Sequence, residues 1–302
     1  MFQEDSYNKH GNWYNNLFPT EESKKAFFRK FKTAGENTVN NWLQNIIFSC
    51  LNPLLKKSGT SWLTVGDAYG MDANYIISKG NRNTAHATDL NSDFLKVSHQ
   101  EGFIQSFSAE NAEKLSFGDN SFDYILCKET YHHFPRPFMA VYEMLRVARK
   151  GVMIIEPQDP VMKMPVLLFI TNILAAINDK LVKKAWKNRF SYEPVGNFVY
   201  KVSEREFEKL AAGINLRLVA FKRLNSNFYY NGAETALATS NNLGFLKLKL
   251  KKGILDLLVS LRLCSSQVLA SLIFKELPDE QELQQLQRAG YQLVHIPVNP
   301  YL

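Results

Sequence analysis

The strongest constraint on this chain is a regular alternation of short apolar runs with helix-length segments between residues 61 and 157. Ser61 to Val65 is apolar and ends in the turn Gly66-Asp67-Ala68-Tyr69-Gly70, and Asp72 to Ser78 then reads as a helix. His86 to Leu90 is a second strand, Ser92 to Glu101 a helix stopped by Gly102, and Phe103 to Ser108 a third strand. Phe122 to Cys127, the helix Pro137 to Val147 and the strand Gly151 to Glu156, closed by Pro157, complete the series. Alternation at this spacing predicts βαβ units and a parallel sheet with helices on both faces. Its right-handed crossovers put ligands at the carboxyl ends of the strands.

The flanks are organised differently. Residues 1–57 predict a helical cap: Glu21 to Lys32 mixes phenylalanines with basic residues, and Thr38 to Leu55 carries an amphipathic face. After Pro157 the expectation is an apolar, then basic, helical stretch from Val161 to Trp186. Ser203 followed by Glu206 opens a capped helix to Ala212, and Leu216 to Arg223 alternates as a strand. Gly244 to Phe274 reads as one long amphipathic region, Asp279 to Ala289 as a helix and Tyr291 to Val298 as a last strand, for a seven-stranded sheet in all. The expected division is a cap over 1–57, a core over 58–160, and a helical acceptor-side region with the final strands over 161–302.

Composition narrows the classes. The 302 residues are 45% hydrophobic and 22% charged, enough for a large core and unlike a disordered chain. Cys50, Cys127 and Cys264 form neither a disulfide framework nor a CxxC pair, so no metal is expected from them. The N-terminus has no apolar leader, and Pro165 to Ile177 falls short of the roughly 20 residues of a spanning helix, which predicts a cytoplasmic protein. The net charge of +7 fits a solvated cationic surface, and also an anionic partner such as nucleic acid or a lipid surface.

Two features carry chemistry. A glycine-containing turn between a parallel strand and a helix brings backbone N–H groups to a ligand. Asp89, at the end of the second strand, can accept hydrogen bonds from the hydroxyls of a ribose. Three blocks then add a resemblance: LTVGDAYG (Leu63 to Gly70), ATDLN (Ala87 to Asn91) and NAEKLSFGDNSFDYILCKETYHHFPRPFMAVYEMLRVARKGVMIIEP (Asn111 to Pro157). Together they resemble the class I S-adenosylmethionine-dependent methyltransferases, in particular the type 11 group, over about a third of the chain. The resemblance implies a Rossmann-like fold and S-adenosylmethionine as cofactor. It implies that Gly66, Asp67, Ala68 and Gly70 wrap the methionine and ribose portion, that Asp89 holds the ribose hydroxyls, and that Leu90 lies against the adenine. Asn111 and Ala112 would meet the adenine edge, and Lys128 with Glu129 would lie near the methionine part. The chain departs from the family at Thr64, where an acid is usual, at Ala68, where glycine is usual, and at Asn111, where aspartate is common.

Methyl transfer needs alignment and, for a hydroxyl acceptor, removal of a proton. His132, His133 and Glu129 are the candidate catalytic residues, with Glu156 and Asp159 as further candidate bases. A shape-forming role for the His-His pair weighs against this, because the pair occurs in the family whatever the acceptor. Trp13, Tyr14, Tyr192, Tyr200, Tyr229 and Tyr230 are candidate pocket aromatics, though aromatics of amphipathic elements are more often core. The expected acceptor is a small molecule or saccharide, methylated on oxygen. The lysine-rich apolar segments around Phe169 and Leu246 to Leu263 add a possible link to lipid. Tyr192 to Tyr200 bears a weak likeness to methyltransferases of bacterial surface polysaccharides. Nucleic acid is disfavoured: Cys127-Lys128-Glu129-Thr130 stands where base-amine enzymes carry (N/D)PP(Y/F). A scaffold that has lost its cofactor is the remaining alternative, raised by Thr64 and Ala68.

Overall fold

A computed structural model describes residues 7–9, 12, 16–33, 37–159, 165–178, 180–182, 191–193 and 197–301. Trp13, Tyr14 and the lysine clusters at 183–184 and 187–189 lie outside the described residues. One sheet organises the chain, in the order β3-β2-β1-β4-β5-β7-β6-β8. Its strands are β1 (Ser61–Val65), β2 (Thr84–Asp89), β3 (Ser106–Ala109), β4 (Phe122–Lys128), β5 (Ala148–Pro157), β6 (Leu218–Leu224), β7 (Val268–Phe274) and β8 (Gln292–His295). The first five run parallel, whereas β7 is antiparallel to both β5 and β6, and β8 is antiparallel to β6. The eighth strand is β7, read from sequence as part of a longer amphipathic region.

The helices are α1 (Glu21–Thr33), α2 (Val39–Phe48), α3 (Asn52–Leu55), α4 (Met71–Ser78), α5 (Asp93–Gln100), α6 (Pro137–Val147), α7 (Pro165–Ile177), α8 (Glu204–Gly213), α9 (Leu243–Ser260) and α10 (Glu280–Arg288). Alternate residues of the central strands feed two cores. Trp62, Ala87, Leu126 and Ile155 meet Phe28, Leu54, Ile76, Phe94 and Leu286 on one face. Leu63, Ile125, Cys127 and Ile154 meet Val141, Met144, Phe207 and Leu210 on the other. Strands buried on both faces explain the continuous apolar runs, and each fully buried Leu or Ile contributes roughly 1.5–3 kcal/mol.

Helices α1, α2 and α3 pack on the first face through Phe28, Ile47 and Leu54. Phe27 stacks on Tyr69 at 5.0 Å, and Phe18, Phe28 and Phe94 close an aromatic cluster around them. The cap therefore packs beside the β1–α4 turn.

Candidate active site

The turn after β1 is fixed from beneath. Gly66 and Gly70 have positive φ, +73° and +76°. Glycine at 66 is also required by the protein: a Cβ there would stand 2.1 Å from the Thr130 methyl. Thr130 Oγ1 also donates to the Gly66 carbonyl at 2.9 Å, tying the loop after β4 to the turn after β1. Ala68 is buried and keeps a negative φ, so its extra methyl is accommodated.

The Asp67 side chain serves the turn itself. Its side chain, only 4% exposed, turns inward and accepts from Thr64 Oγ1 (2.9 Å) and from the Asp72 and Ala73 amides (3.2 and 2.9 Å). It caps α4 from inside the turn. The pairing also accounts for Thr64: the chain carries its acid three positions later, beside the Thr64 hydroxyl. Lys128 is likewise committed to the protein. Its Nζ lies 3.2 Å from Asp72 and 3.5 Å from Glu129, with the Lys128 and Asp72 side chains almost fully buried. Burial pushes the Asp72 carboxyl up to about 7 against the opposing pull of Lys128.

β1 and β2 end side by side: the Asp67 amide donates to the Thr88 carbonyl (2.9 Å) and Thr88 Oγ1 to the Thr64 carbonyl (2.7 Å). Gly66 and Asp89 thus share one edge of the sheet. Asp89 Oδ1 accepts from the Asn91 amide at 3.0 Å, and burial pushes this carboxyl up to about 7. Beside it Leu90 is 39% exposed, an apolar side chain held outside the core. Asn111 is half-buried; its Oδ1 accepts from the Glu113 amide at 2.9 Å and, from the cap, from the Tyr7 hydroxyl at 3.4 Å. Ala112 is buried in the second core.

The loop after β4 holds the candidate bases. Glu129 is exposed in the left-handed region, φ +52°, where a side chain is strained. Glu156, fully buried, accepts from the Thr130 and Tyr131 amides (both 2.7 Å) and from His132 Nδ1 (2.5 Å). Both carboxylate oxygens are spent in holding the loop, so Glu156 is not an open base. Burial alone would lower the His132 pKa, but Glu156 and then Glu193 outweigh it and raise it to about 10. An imidazole held as imidazolium is a poor proton acceptor at neutral pH. His133 is half-buried and pairs with Glu193 at 2.8 Å. Asp159 is half-buried beyond β5, where its amide donates to the Val202 carbonyl.

Sequence reasoning missed Glu193 and Asn197 as neighbours of this loop. Only the Tyr192–Tyr200 segment had been singled out, without a contact, and nothing in the pattern reaches across sixty residues. Tyr192 and Tyr200 are exposed, as are Tyr229 and Tyr230. A groove of about 740 Å³ lies elsewhere, between α2, α9 and β6, lined by Trp42, Lys222, Arg223, Lys252 and Arg262 among others. None of residues 66–70, 89–90 or 111–112 lines it, so it is distinct from the carboxyl ends of β1 and β2.

Residues 63–155 match the family model of the methyltransferase domain. The chain is 26% identical over 197 residues to the ubiquinone/menaquinone biosynthesis C-methyltransferase UbiE of Bradyrhizobium sp., covering 61% of this chain and 76% of that one. Among solved structures it is similar to the 1,6-didemethyltoxoflavin-N1-methyltransferase of Burkholderia thailandensis, with a TM-score of 0.52 and 11% identity over 91% of this chain and 90% of that one; this similarity speaks to the fold. A matched domain that ends at the strand carrying Glu156, on a sheet of this order, makes the chain a class I S-adenosylmethionine-dependent methyltransferase with S-adenosylmethionine as its cofactor.

Proposed function

We propose that the enzyme O-methylates a small-molecule or saccharide acceptor presented at, or linked to, an anionic lipid surface. The observation that carries the lipid part is α9. Leu243 (72% exposed), Leu246 (39%), Leu250 (66%), Ile254 (52%), Leu257 (57%) and Leu261 (59%) recur every three or four positions and form one outward ridge. Lys247 and Lys251 flank it on one side and Lys249 on the other, while Phe245 and Leu248 pack inward on Trp42 and its neighbours. An apolar crest between lysines suits the interface of an anionic bilayer. Charge disfavours a second copy as the occupant, since two such crests would face lysines with lysines. α7 adds Val166, Phe169, Ile173 and Ile177, all exposed. No helix among the described residues is long and apolar enough to cross a membrane.

In this reading the Asp89 carboxylate accepts from the two ribose hydroxyls, Leu90 covers the adenine, and Asn111 and Ala112 border it; the shared carboxyl end of β1 and β2 supports it. The backbone of Gly66, Ala68 and Gly70 lines the turn, with Asp67 and Lys128 acting from behind it. The residues fit the cofactor: a cramped carboxyl with a raised pKa is satisfied by hydroxyl donors, and an exposed leucine by a flat base. When bound, S-adenosylmethionine supplies a methyl group already activated on a sulfonium. Glu129 is the carboxylate placed to take a proton from an acceptor hydroxyl, being exposed at the end of β4. His132 and Glu156 hold that loop in shape.

The test combines binding and product analysis. The protein should float with vesicles containing phosphatidylglycerol and not with pure phosphatidylcholine, and Leu250→Ser with Ile254→Ser should abolish flotation. Methyl-labelled product from an anionic lipid extract should show its label on oxygen by NMR. Equal flotation with both vesicles, or label confined to water-soluble macromolecules, would refute the reading. The 26% identity to a C-methyltransferase of quinone biosynthesis favours a second reading, transfer to carbon, which the same NMR experiment separates.

A further inference from the structure

We propose that His132, His133 and Glu193 form a binding site for a divalent first-row transition cation, of which Zn²⁺ is the best-suited example. The three come from separate places. The histidines sit on the 3₁₀ turn after β4, Tyr131–His133, and Glu193 on a short hairpin in which the Glu193 amide donates to the Asn197 carbonyl and the Val199 amide to the Ser191 carbonyl. The fold nevertheless turns their donor atoms toward one point. Glu193 Oε2 lies 2.8 Å from His133 Nδ1, Oε1 lies 3.6 Å from His132 Nε2, and one ligand atom from each of the three residues falls within 4.8 Å of the others. Ligands at about 2.0–2.2 Å from a zinc ion stand roughly 3 Å apart, so the cation enters with small side-chain shifts.

The surroundings have the features of a supported site. The buried Glu156 takes His132 Nδ1 at 2.5 Å, which leaves Nε2 as the nitrogen that faces Glu193, and the cation would take the place of the Nε2 proton, which is released to solvent. A carboxylate behind a ligating histidine is the usual way of fixing its ring and tautomer. Glu156 is in turn held by the Thr130 and Tyr131 amides, so the support is rigid. A second observation is independent of the three donors. Asn197 is 5% exposed, and its Nδ2 lies 3.2 Å from the His132 carbonyl and 3.3 Å from His133 Nδ1. Its Oδ1 is buried with no hydrogen-bond partner among the described residues. A water held by the cation is a donor that this orphaned oxygen lacks. Two imidazoles and one carboxylate select Zn²⁺, Fe²⁺ or Ni²⁺ over Mg²⁺, and three protein ligands leave a coordination position open. The cation would pin residues 191–193 onto the loop that carries Glu129, which places it at the acceptor side of the site. This inference concerns the cluster alone and stands whether or not the acceptor is lipid-linked.

The experiment is a calorimetric titration of ZnCl₂ into the full chain after dialysis against chelator and then buffer, repeated with CoCl₂ while its visible absorption is followed. The expected result is saturable binding of a single ion. Glu193→Gln and His133→Ala should each weaken it by about tenfold or more. Thermal melting and S-adenosylmethionine affinity in both variants report that they are folded, and Asp89→Ala should lose cofactor affinity while binding Zn²⁺ like the parent. The absence of saturable binding at millimolar ZnCl₂, or undiminished binding in folded Glu193→Gln, overturns the proposal.

Discussion

The two ends of the sheet treat the same side chain in opposite ways. At the amino end, Asp123 on β4 accepts from the Ser61 amide at 3.0 Å and pairs with Arg149 and, at 3.1 Å, with Lys150. Burial alone would raise its carboxyl, but the Ser61 amide, Arg149 and Lys150 outweigh it and lower the pKa below the usual carboxylate range. At the carboxyl end, burial prevails and both Asp72 and Asp89 are pushed up to about 7. The amino end is electrostatically complete without a ligand. The carboxyl end keeps carboxyls whose ionisation burial disfavours: Asp72 is answered by Lys128, and Asp89 by backbone amides alone.

The sharpest break of this contrast is at Lys128. Lys128→Met leaves Asp72 buried without its cation and should lower unfolding free energy by about 3–5 kcal/mol, read from urea denaturation. A double variant, Lys128→Met with Asp72→Leu, should recover most of that loss, because removing both charges removes the uncompensated one. A loss in the single variant below about 1 kcal/mol would mean that the pair is solvated and that the two ends do not differ as described.

Asp89 comes next. Asp89→Ala should weaken S-adenosylmethionine binding by roughly 1–3 kcal/mol, since ribose hydroxyls lose their acceptor, with melting temperature unchanged or higher. Calorimetry with the cofactor decides it, and unchanged affinity would move the ribose elsewhere.

Much of this edge was legible in the sequence. The βαβ spacing located the turn at 66–70, and the strand-ending position of Asp89 placed it beside Gly66. What each residue does there was less legible. Glycine at 66 reads as room for close backbone approach, and its second reason, the Thr130 side chain packed on its α-carbon from 64 residues further on, has no local signature. Asp67 looked like a cleft residue because sequence does not show that the Thr64 hydroxyl and two helix amides lie within its reach. β7 was hidden because every residue of VLASLIF is buried between β5 and β6. A strand buried on both faces does not alternate, and it follows α9, whose leucines blur the boundary. The apposition of Glu193 with the histidines is tertiary, set by where a hairpin lands, and has no local signature.

The ends should also differ in pH response. In the folded chain Asp89 holds its proton in a range where the unfolded chain, with a carboxyl pKa of about 4, has lost it. Its contribution to stability therefore falls as pH rises from about 4 through about 7 and is constant above. Asp89→Asn should gain stability over the parent progressively across that interval. Cofactor affinity should run the other way, rising toward pH 7, since hydroxyl donors favour the ionised carboxylate. Burial is the largest cause of the raised value, with Asp67 adding to it and the Asn91 and Leu90 amides opposing. Asp123 has the opposite sign: its lowered pKa contributes stability above about pH 4, and this is lost as pH falls further. Parallel stability profiles of Asp89→Asn and the parent from pH 4 to 8 would remove the distinction.

The smallest effect is expected at Arg149, where the amino end can be tested without disturbing the site. Its guanidinium side chain is 57% exposed and shares Asp123 with Lys150 and the Ser61 amide. Water screens the pair and two partners remain for the carboxylate, so Arg149→Met should cost less than about 1 kcal/mol. S-adenosylmethionine affinity should not change, because β4 separates Asp123 from Lys128 by its whole length. The comparison with Lys128→Met is the informative one: each change removes a cation from a buried aspartate, Asp123 at the amino end of the sheet and Asp72 on α4 at its carboxyl end. A loss at Arg149 as large as that at Lys128 would show that burial of the partner, and not the presence of backup donors, sets the cost at both ends.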